Sequence, residues 1–314
     1  MKKIIILEGG NNEEHKVSLE SSKEVKKVLI KKKIEYQSII VNPKTFKNKI
    51  NKFSNKYIFF NALHGSFGED GQIQKILSDN KYKYTHSGIL SSKNSFNKII
   101  SKNKVSKKRI PTPIYLEFKI KSLNDKLLNR IKKKYKKFVI KPIKSGSSFG
   151  IKIIKNNYDL KLFLKNLPQY KKKLINHDKI IFEKFISGKE LTVSVVNLRG
   201  RLISLGVTEI KTKNEYFDYK AKYTKGYAQH IIPAKISKKN YNTCLAYALK
   251  IHKILKCNTI SRSDFILNPK EDKIYYLETN TQPGLTPLSL LPEQAKYNNI
   301  TFENLVLELI SNLI

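Results

Sequence analysis

A chain of 314 residues exceeds one ordinary domain, so two or three compact units are expected. Hydrophobic residues at 40% and aromatics at 10% suffice for globular cores, while no apolar run approaches the ~18 residues of a membrane span. The net charge of +37 raises nucleic-acid binding, yet only five of the 62 basic residues are arginine, whose planar fork readers of bases and phosphates favour. The lysines are spread through almost every segment beside abundant Asn, Ile, Tyr and Phe. That pattern reads as compositional drift, with weak non-specific attraction to polyanions and no specific nucleic-acid site. Lys132-Lys133-Lys134 and Lys171-Lys172-Lys173 are expected to be solvated faces.

The opening Met1–Leu7 imitates a signal peptide, but Glu8-Gly9-Gly10 cuts the apolar stretch short, so Lys3–Leu7 reads as a buried strand. Val25, Val28 and Leu29 recur at helical spacing, and Tyr36–Val41 and Tyr57–Asn61 read as further strands, a βαβ pattern that implies a parallel sheet. Turn residues Gly65–Gly71 follow. A polar helix is predicted around Ser91–Lys104, then a connector at Pro111-Thr112-Pro113. The middle third reads mostly as strands and Gly-rich turns. Phe138–Lys141 and Gly150–Ile154 flank the small-residue loop Ser145–Phe149, and Lys179–Phe185 is another strand. Hairpins are predicted at Glu190–Asn197 with Arg201–Val207 and at Arg262–Asn268 with Lys273–Asn280, around a helix near Tyr241–Leu255. Leu305, Val306, Leu309, Ile310 and Leu313 stripe a closing helix. Cys244 and Cys257 have neither metal-ligand spacing nor disulfide density, and the chain is expected to be soluble and cytoplasmic, with no membrane partner.

The last hairpin carries the clearest chemistry. Strand alternation places Arg262 with Asp264, and Tyr276 with Glu278 and Asn280, on shared faces. Two carboxylates and an amide oxygen form a hard-oxygen set of the kind that holds Mg2+ against phosphates. An ion pair of Arg262 with Asp264 or Glu278 on an exposed hairpin is the alternative. The turn at Gly284 then offers backbone N–H groups to an anionic centre. Upstream, Lys141 ends an apolar strand beside the Gly/Ser loop, placed either to meet phosphate oxygens or simply to snorkel from a strand end. Neither a Walker A loop nor a dinucleotide fingerprint is present. By themselves Glu13-Glu14-His15 and His64-Gly65 read as solvated turns.

Taken in order, these segments resemble the ATP-grasp enzymes, and within them the D-alanine–D-alanine ligase family, along nearly the whole chain. The resemblance runs through Gly9–Leu19, Ala62–Gly71, Tyr84–Gly88, Val139–Pro142 with Gly146–Ser148, Phe182–Phe185 with Gly188–Glu190, Phe217–Tyr223, Arg262–Asp264, Leu277–Thr286 and Ser289–Pro292. It implies an α/β fold of three domains: an N-terminal parallel-sheet domain over 1–90 and two ATP-clasping α+β units over 91–187 and 188–314. It also implies residue roles. Lys98 and Lys141 look like the phosphate lysines, with Ser147 and Ser148 in the covering loop. Glu183, Lys184 and Phe185 resemble the adenine-binding strand and Glu190 the ribose contact. Asp264, Glu278 and Asn280 match ligands of two Mg2+ ions, which Mn2+ can replace.

Arg262 and the Gly284 backbone correspond to the oxyanion donors. Glu14 is similar to the carboxylate that receives the first D-alanine's ammonium, with His64 beside the substrate, and Ser289 and Leu290 lie where the second D-alanine's carboxylate binds. Lys222 and Tyr223 sit in the family's ω-loop, the tyrosine joining Glu14 and Ser147. The implied reaction joins two D-alanines with ATP through a D-alanyl phosphate, for peptidoglycan precursors, in a homodimer. A D-lactate or D-serine acceptor, and a catalytically weakened polyanion-binding protein, are the competing readings. Lys16, Asn97 and Lys220 stand where the family usually carries acidic residues, each adding positive charge.

Overall fold

The computed structural model describes residues 3–212, 224, 226–311 and 313. The first strand, β1 (Ile4–Gly9), is buried along its whole length. It is followed by α1 (His15–Lys31), β2 (Tyr36–Val41), α2 (Phe46–Ile50), β3 (Ile58–Asn61), α3 (Gln72–Asp79) and β4 (Lys83–Tyr84). The strands pair in parallel in the order β2-β1-β3-β4. Such a sheet is covered on both faces, which explains the unbroken run Ile4-Ile5-Ile6-Leu7. Ile4 and Ile6 pack with Val25 and Leu29 of α1, while Ile5 and Leu7 pack with Phe46, Ile73 and Leu77.

The helix predicted over Ser91–Lys104 is two helices, α4 (Ile89–Phe96) and α5 (Lys98–Ser106). Asn97 separates them with extended backbone, and its side-chain oxygen accepts the N–H groups of Ile99 and Ile100. This is an ordinary N-cap, a position at which Asn is among the preferred residues.

The second sheet contains β5 (Tyr115–Lys119), β6 (Phe138–Pro142), β7 (Lys152–Ile154) and β8 (Lys179–Lys184), antiparallel in the order β5-β8-β6-β7. Three helices not anticipated in this third cover it: α6 (Asp125–Tyr135), α7 (Asn157–Lys165) and α8 (Leu167–Lys173). Leu127, Leu128, Ile131 and Tyr135 give α6 one buried stripe, with Asn124 capping its start. With Lys132–Lys134 between its members, that stripe is an amphipathic helical pattern present in the sequence.

The third sheet has β9 (Lys189–Leu198), β10 (Arg201–Thr212), β11 (Ala228–Ile231), β12 (Ile260–Asn268) and β13 (Lys273–Asn280), antiparallel in the order β11-β10-β9-β12-β13. Helix α9 (Lys238–Ile254) packs Cys244, Ala248 and Ile251 onto Leu191, Val193 and Phe265. On the opposite face Val196, Leu205 and Ile260 meet α10 (Leu290–Tyr297), α11 (Phe302–Ser311) and the β1–α1 layer in one core. The first and third sheets are thus joined by shared apolar burial, the main driving force of packing. Cys244 and Cys257 are free thiols. Among the described residues, no helix is long and apolar enough to cross a membrane.

Candidate active site

The β12–β13 hairpin brings Asp264 directly opposite Glu278, and Arg262 opposite Asn280. A register shift follows at once: Phe265 pairs with Tyr276, leaving Leu277 as an extra residue. Such a bulge reverses which face later side chains take. Tyr276 therefore turns into the core beside Phe265 rather than sharing a face with Glu278, as simple alternation implied. In exchange, Leu277 and Glu278 both line the cleft, an apolar floor beside a carboxylate.

The Arg262 guanidinium grips Asp264 with two parallel bonds of 2.9 Å, and Thr192 Oγ1 donates to Asp264 Oδ1 at 2.6 Å. The Arg262–Asp264 ion pair is therefore real, but half-buried inside a cleft. Asn280 Oδ1 accepts the N–H of Gln282. Among the described residues no three His, Cys, Asp or Glu side chains cluster as a metal site. The hairpin set has two carboxylates plus an amide, which suits an ion completed by phosphate oxygens and water.

Helix α5 supplies two lysines one turn apart. Lys98 Nζ donates to Ser145 O at 2.7 Å and lies 3.3 Å from Glu278 Oε2. Lys102 is fully buried and lies 2.9 Å from Glu183 Oε1; Lys141 Nζ lies 2.6 Å from Glu183 Oε2. Burial pushes Lys102 down to about 8, against the pull of Glu183 and with Lys141 adding to the effect. Burial also opposes the charge on Lys141, but Glu183, Glu278 and Glu190 outweigh it and hold this ammonium above its usual range. Glu183, despite burial, is held below the usual carboxylate range by the two lysines. Its carboxylate therefore faces cations.

A pocket of about 220 Å³ lies between the second and third sheets, lined by Lys141, Ser148, Glu183, Lys184, Phe185, Glu190, Leu277 and Glu278 among others. A smaller cavity of about 60 Å³ adjoins it, with Glu14, His64, Lys98, Ser147, Arg262, Asn280 and Gly284 in its wall. Glu14, at the head of α1, is buried and accepts the Ser147 hydroxyl from the β6–β7 loop. It fits only because Gly65 and Gly146 flank it: a Cβ on Gly146 lies 2.8 Å from Glu14 Oε2, and one on Gly65 is closer still. His64 is buried, with Nε2 3.0 Å from Ser21 Oγ and Nδ1 3.2 Å from Glu69 Oε1. Ser289 Oγ caps the Gly284 turn at Thr286 N, and Leu290 is buried as the first residue of α10. Lys222 and Tyr223 lie outside the described residues.

Residues 105–311 match the family profile described as D-ala D-ala ligase C-terminus. The D-alanine–D-alanine ligase of Pelagibacter ubique is 41% identical over 308 residues, 97% of this chain and 96% of the relative. The chain belongs to the D-alanine–D-alanine ligase family. A crystal structure of the Bacillus anthracis D-alanine–D-alanine ligase complexed with ATP is similar at TM-score 0.78 and 28% identity, over 99% of this chain and 96% of that one. The VanG D-Ala:D-Ser ligase of Enterococcus faecalis is similar at TM-score 0.79 and 27% identity, over 100% and 99%. The three-domain α/β ATP-grasp architecture is therefore that of this ligase family.

Several residues that build this ligase-family site were not singled out from sequence. Lys102 follows Lys98 by four positions, so helical periodicity placed both on one face, a usable signal. Thr192 left none, and Gln282 enters the sequence reading only as part of the Leu277–Thr286 segment. Gln282 accepts from Asn61 Nδ2 at 2.8 Å and donates to Leu63 O, tying the Gly284 turn to the first sheet. Only the tertiary arrangement brings those segments together.

Proposed function

We propose that this chain is an ATP-dependent ligase that forms D-alanyl-D-alanine from two D-alanines, for peptidoglycan precursor synthesis. The observation that carries the reading is a pair of cavities that share Glu278: Asp264 and the buried Lys141 line one, and Asn280, the Gly284 turn and the buried Lys98 and Glu14 line the other. Family membership over nearly the whole length supports the same reaction.

A carboxylate is a poor acyl donor, so the first D-alanine's carboxylate oxygen attacks the γ-phosphorus and ADP leaves. The amine of the second D-alanine then attacks the acyl carbon, and the tetrahedral intermediate expels phosphate. Little of this needs covalent help from the protein; it needs positioning and charge screening. Lys98 and Lys141 hold the phosphates, with Ser148 in the covering loop. Phe185, Lys184 and Glu190 surround the nucleoside, and Glu183 steadies Lys141. Glu14, held by Ser147, receives the first ammonium, with His64 alongside. Arg262 and the Gly284 N–H face the oxyanion, and Ser289 and Leu290 bound the acceptor carboxylate.

Asp264, Glu278 and Asn280 would hold two Mg2+ ions, or Mn2+, and the fit is supported by the side chains themselves. Cationic groups of Lys98 and Arg262 already stand against Glu278 and Asp264. The ions, when bound, supply Lewis-acid screening of the phosphate oxygens. We further assign the segments 1–90, 91–187 and 188–314 to the three domains, the protein to the cytoplasm and its working form to a homodimer.

The test is a coupled ADP-release assay across D-alanine, D-lactate, D-serine and L-alanine. D-alanine-dependent release with D-alanyl-D-alanine as product is expected. Equal or better turnover with D-lactate or D-serine as acceptor overturns the specificity. Salt-dependent nucleic-acid binding without ADP release overturns the enzyme reading.

A further inference from the structure

Two cations meet one carboxylate at the inner end of the nucleotide pocket. Lys102, from α5, lies on one oxygen of Glu183, and Lys141, from β6, lies on the other. Lys102 is fully buried and does not itself line the pocket, whereas Lys141 does. Counted alone, this buried trio carries one surplus positive charge. Without Lys102 it is neutral, and among the described residues Lys141 is the cation left on Glu183.

The geometry also fixes Lys102 from the other side: its Nζ lies 3.4 Å from Tyr276 O on β13, and 5.8 Å from the Tyr276 ring centroid. Helix α5 therefore braces both walls of the cleft. Lys98 reaches Glu278 on β13, and Lys102 reaches Glu183 on β8.

We propose that Lys102 is a positioning residue for ATP. By sharing Glu183 it keeps the Lys141 ammonium aimed into the pocket, with charge left for an anionic phosphate. The proposal rests on the reading of Lys141 as a phosphate ligand, so the experiment separates the two. Steady-state kinetics on the full-length protein are compared for K141M, K102M, E183Q and K102M/E183Q, varying ATP and D-alanine independently.

K141M is expected to raise KM for ATP; an unchanged value sinks the phosphate reading itself. K102M is expected to raise KM for ATP about tenfold, the scale of one charge-assisted contact, while KM for D-alanine stays within about twofold. In the E183Q background, the same change is expected to add little, because Lys102 acts through that carboxylate. E183Q leaves the buried Lys102 and Lys141 without their counter-charge, so the melting temperature of each variant is measured first; K102Q, which keeps the Lys141–Glu183 pair and a polar group at this position, repeats the test if K102M does not fold. An unchanged KM for ATP in folded K102M overturns the role of Lys102 alone. So does a full additional loss in the double variant.

Discussion

Glu14 and Ser147 are 133 residues apart, on loops of two different sheets, yet the serine hydroxyl donates directly to the buried carboxylate. Glu14 opens α1 beneath the parallel sheet; Ser147 lies in the β6–β7 loop with left-handed backbone, as does Ser148 beside it. The bond couples the proposed D-alanine site to the loop over the nucleotide. Ser147→Ala should therefore lower kcat/KM for D-alanine about tenfold, the scale of a hydrogen bond to a charged group. Substrate titration at saturating ATP reads it, and an unchanged kcat/KM shows that Glu14 is held without Ser147.

Asp264 already has Arg262 and Thr192 as partners, whereas Glu278 stands directly opposite it with Lys98 at 3.3 Å. Glu278→Gln should abolish turnover while leaving the melting temperature within a few degrees, since Glu278 is only half-buried. Mg2+ titration of ADP release and a melting curve check this together. Retained Mg2+-dependent activity removes Glu278 from the metal set.

Gly284 is required by its neighbour. A Cβ there meets Ser289 Oγ at 2.6 Å but Ser289 Cβ at an ordinary 3.5 Å. Gly284→Ala should destabilise the fold by about 1–3 kcal/mol, as overpacking does, and should lower activity. Adding Ser289→Ala removes the clashing oxygen. The double variant should recover the melting temperature of S289A without recovering activity; a G284A/S289A protein as unstable as G284A defeats the explanation.

Acid stability follows from two buried histidines. Burial, with His64 adding to it, holds His86 neutral down to about 3, and burial holds His252 neutral down to about 4. The unfolded chain takes up both protons as pH falls below about 6.5, while the folded chain does not. Their contribution is thus complete above pH 6.5 and is lost on acidification between 6.5 and 4, by about 1.4 kcal/mol per pH unit for each. Urea midpoints measured across that window should show the loss. His86→Asn, which tolerates the left-handed φ of 72° at this position, should shallow the slope by about one proton; an unchanged slope excludes His86.

Parts of this molecule were legible in the chain alone because they depend on local rules. The run Ile4–Leu7 announces a strand covered on both faces, and the alternation around Arg262–Asn268 and Lys273–Asn280 announces a hairpin. The order of Lys141, Ser147, Asp264, Glu278, Asn280 and Gly284 carries the family. Helix α6 carries a helical apolar period in Leu127, Leu128, Ile131 and Tyr135 with polar residues between them, so its signal was present although strands and Gly-rich turns dominate the reading of this third. The break at Asn97 was missed because capping residues also occur inside polar helices.

Tertiary structure decided the rest, since it turns on which distant groups end up in one dry place. The bulge at Leu277 sends Tyr276 into the core and Glu278 into the cleft, a choice set by β-pairing rather than by alternation. Lys102 looks like one lysine among 57 until burial places it against Glu183. Sequence supplied the chemical groups and their order. Packing determined their charge partners, because an ion removed from water must find its counter-ion within the fold.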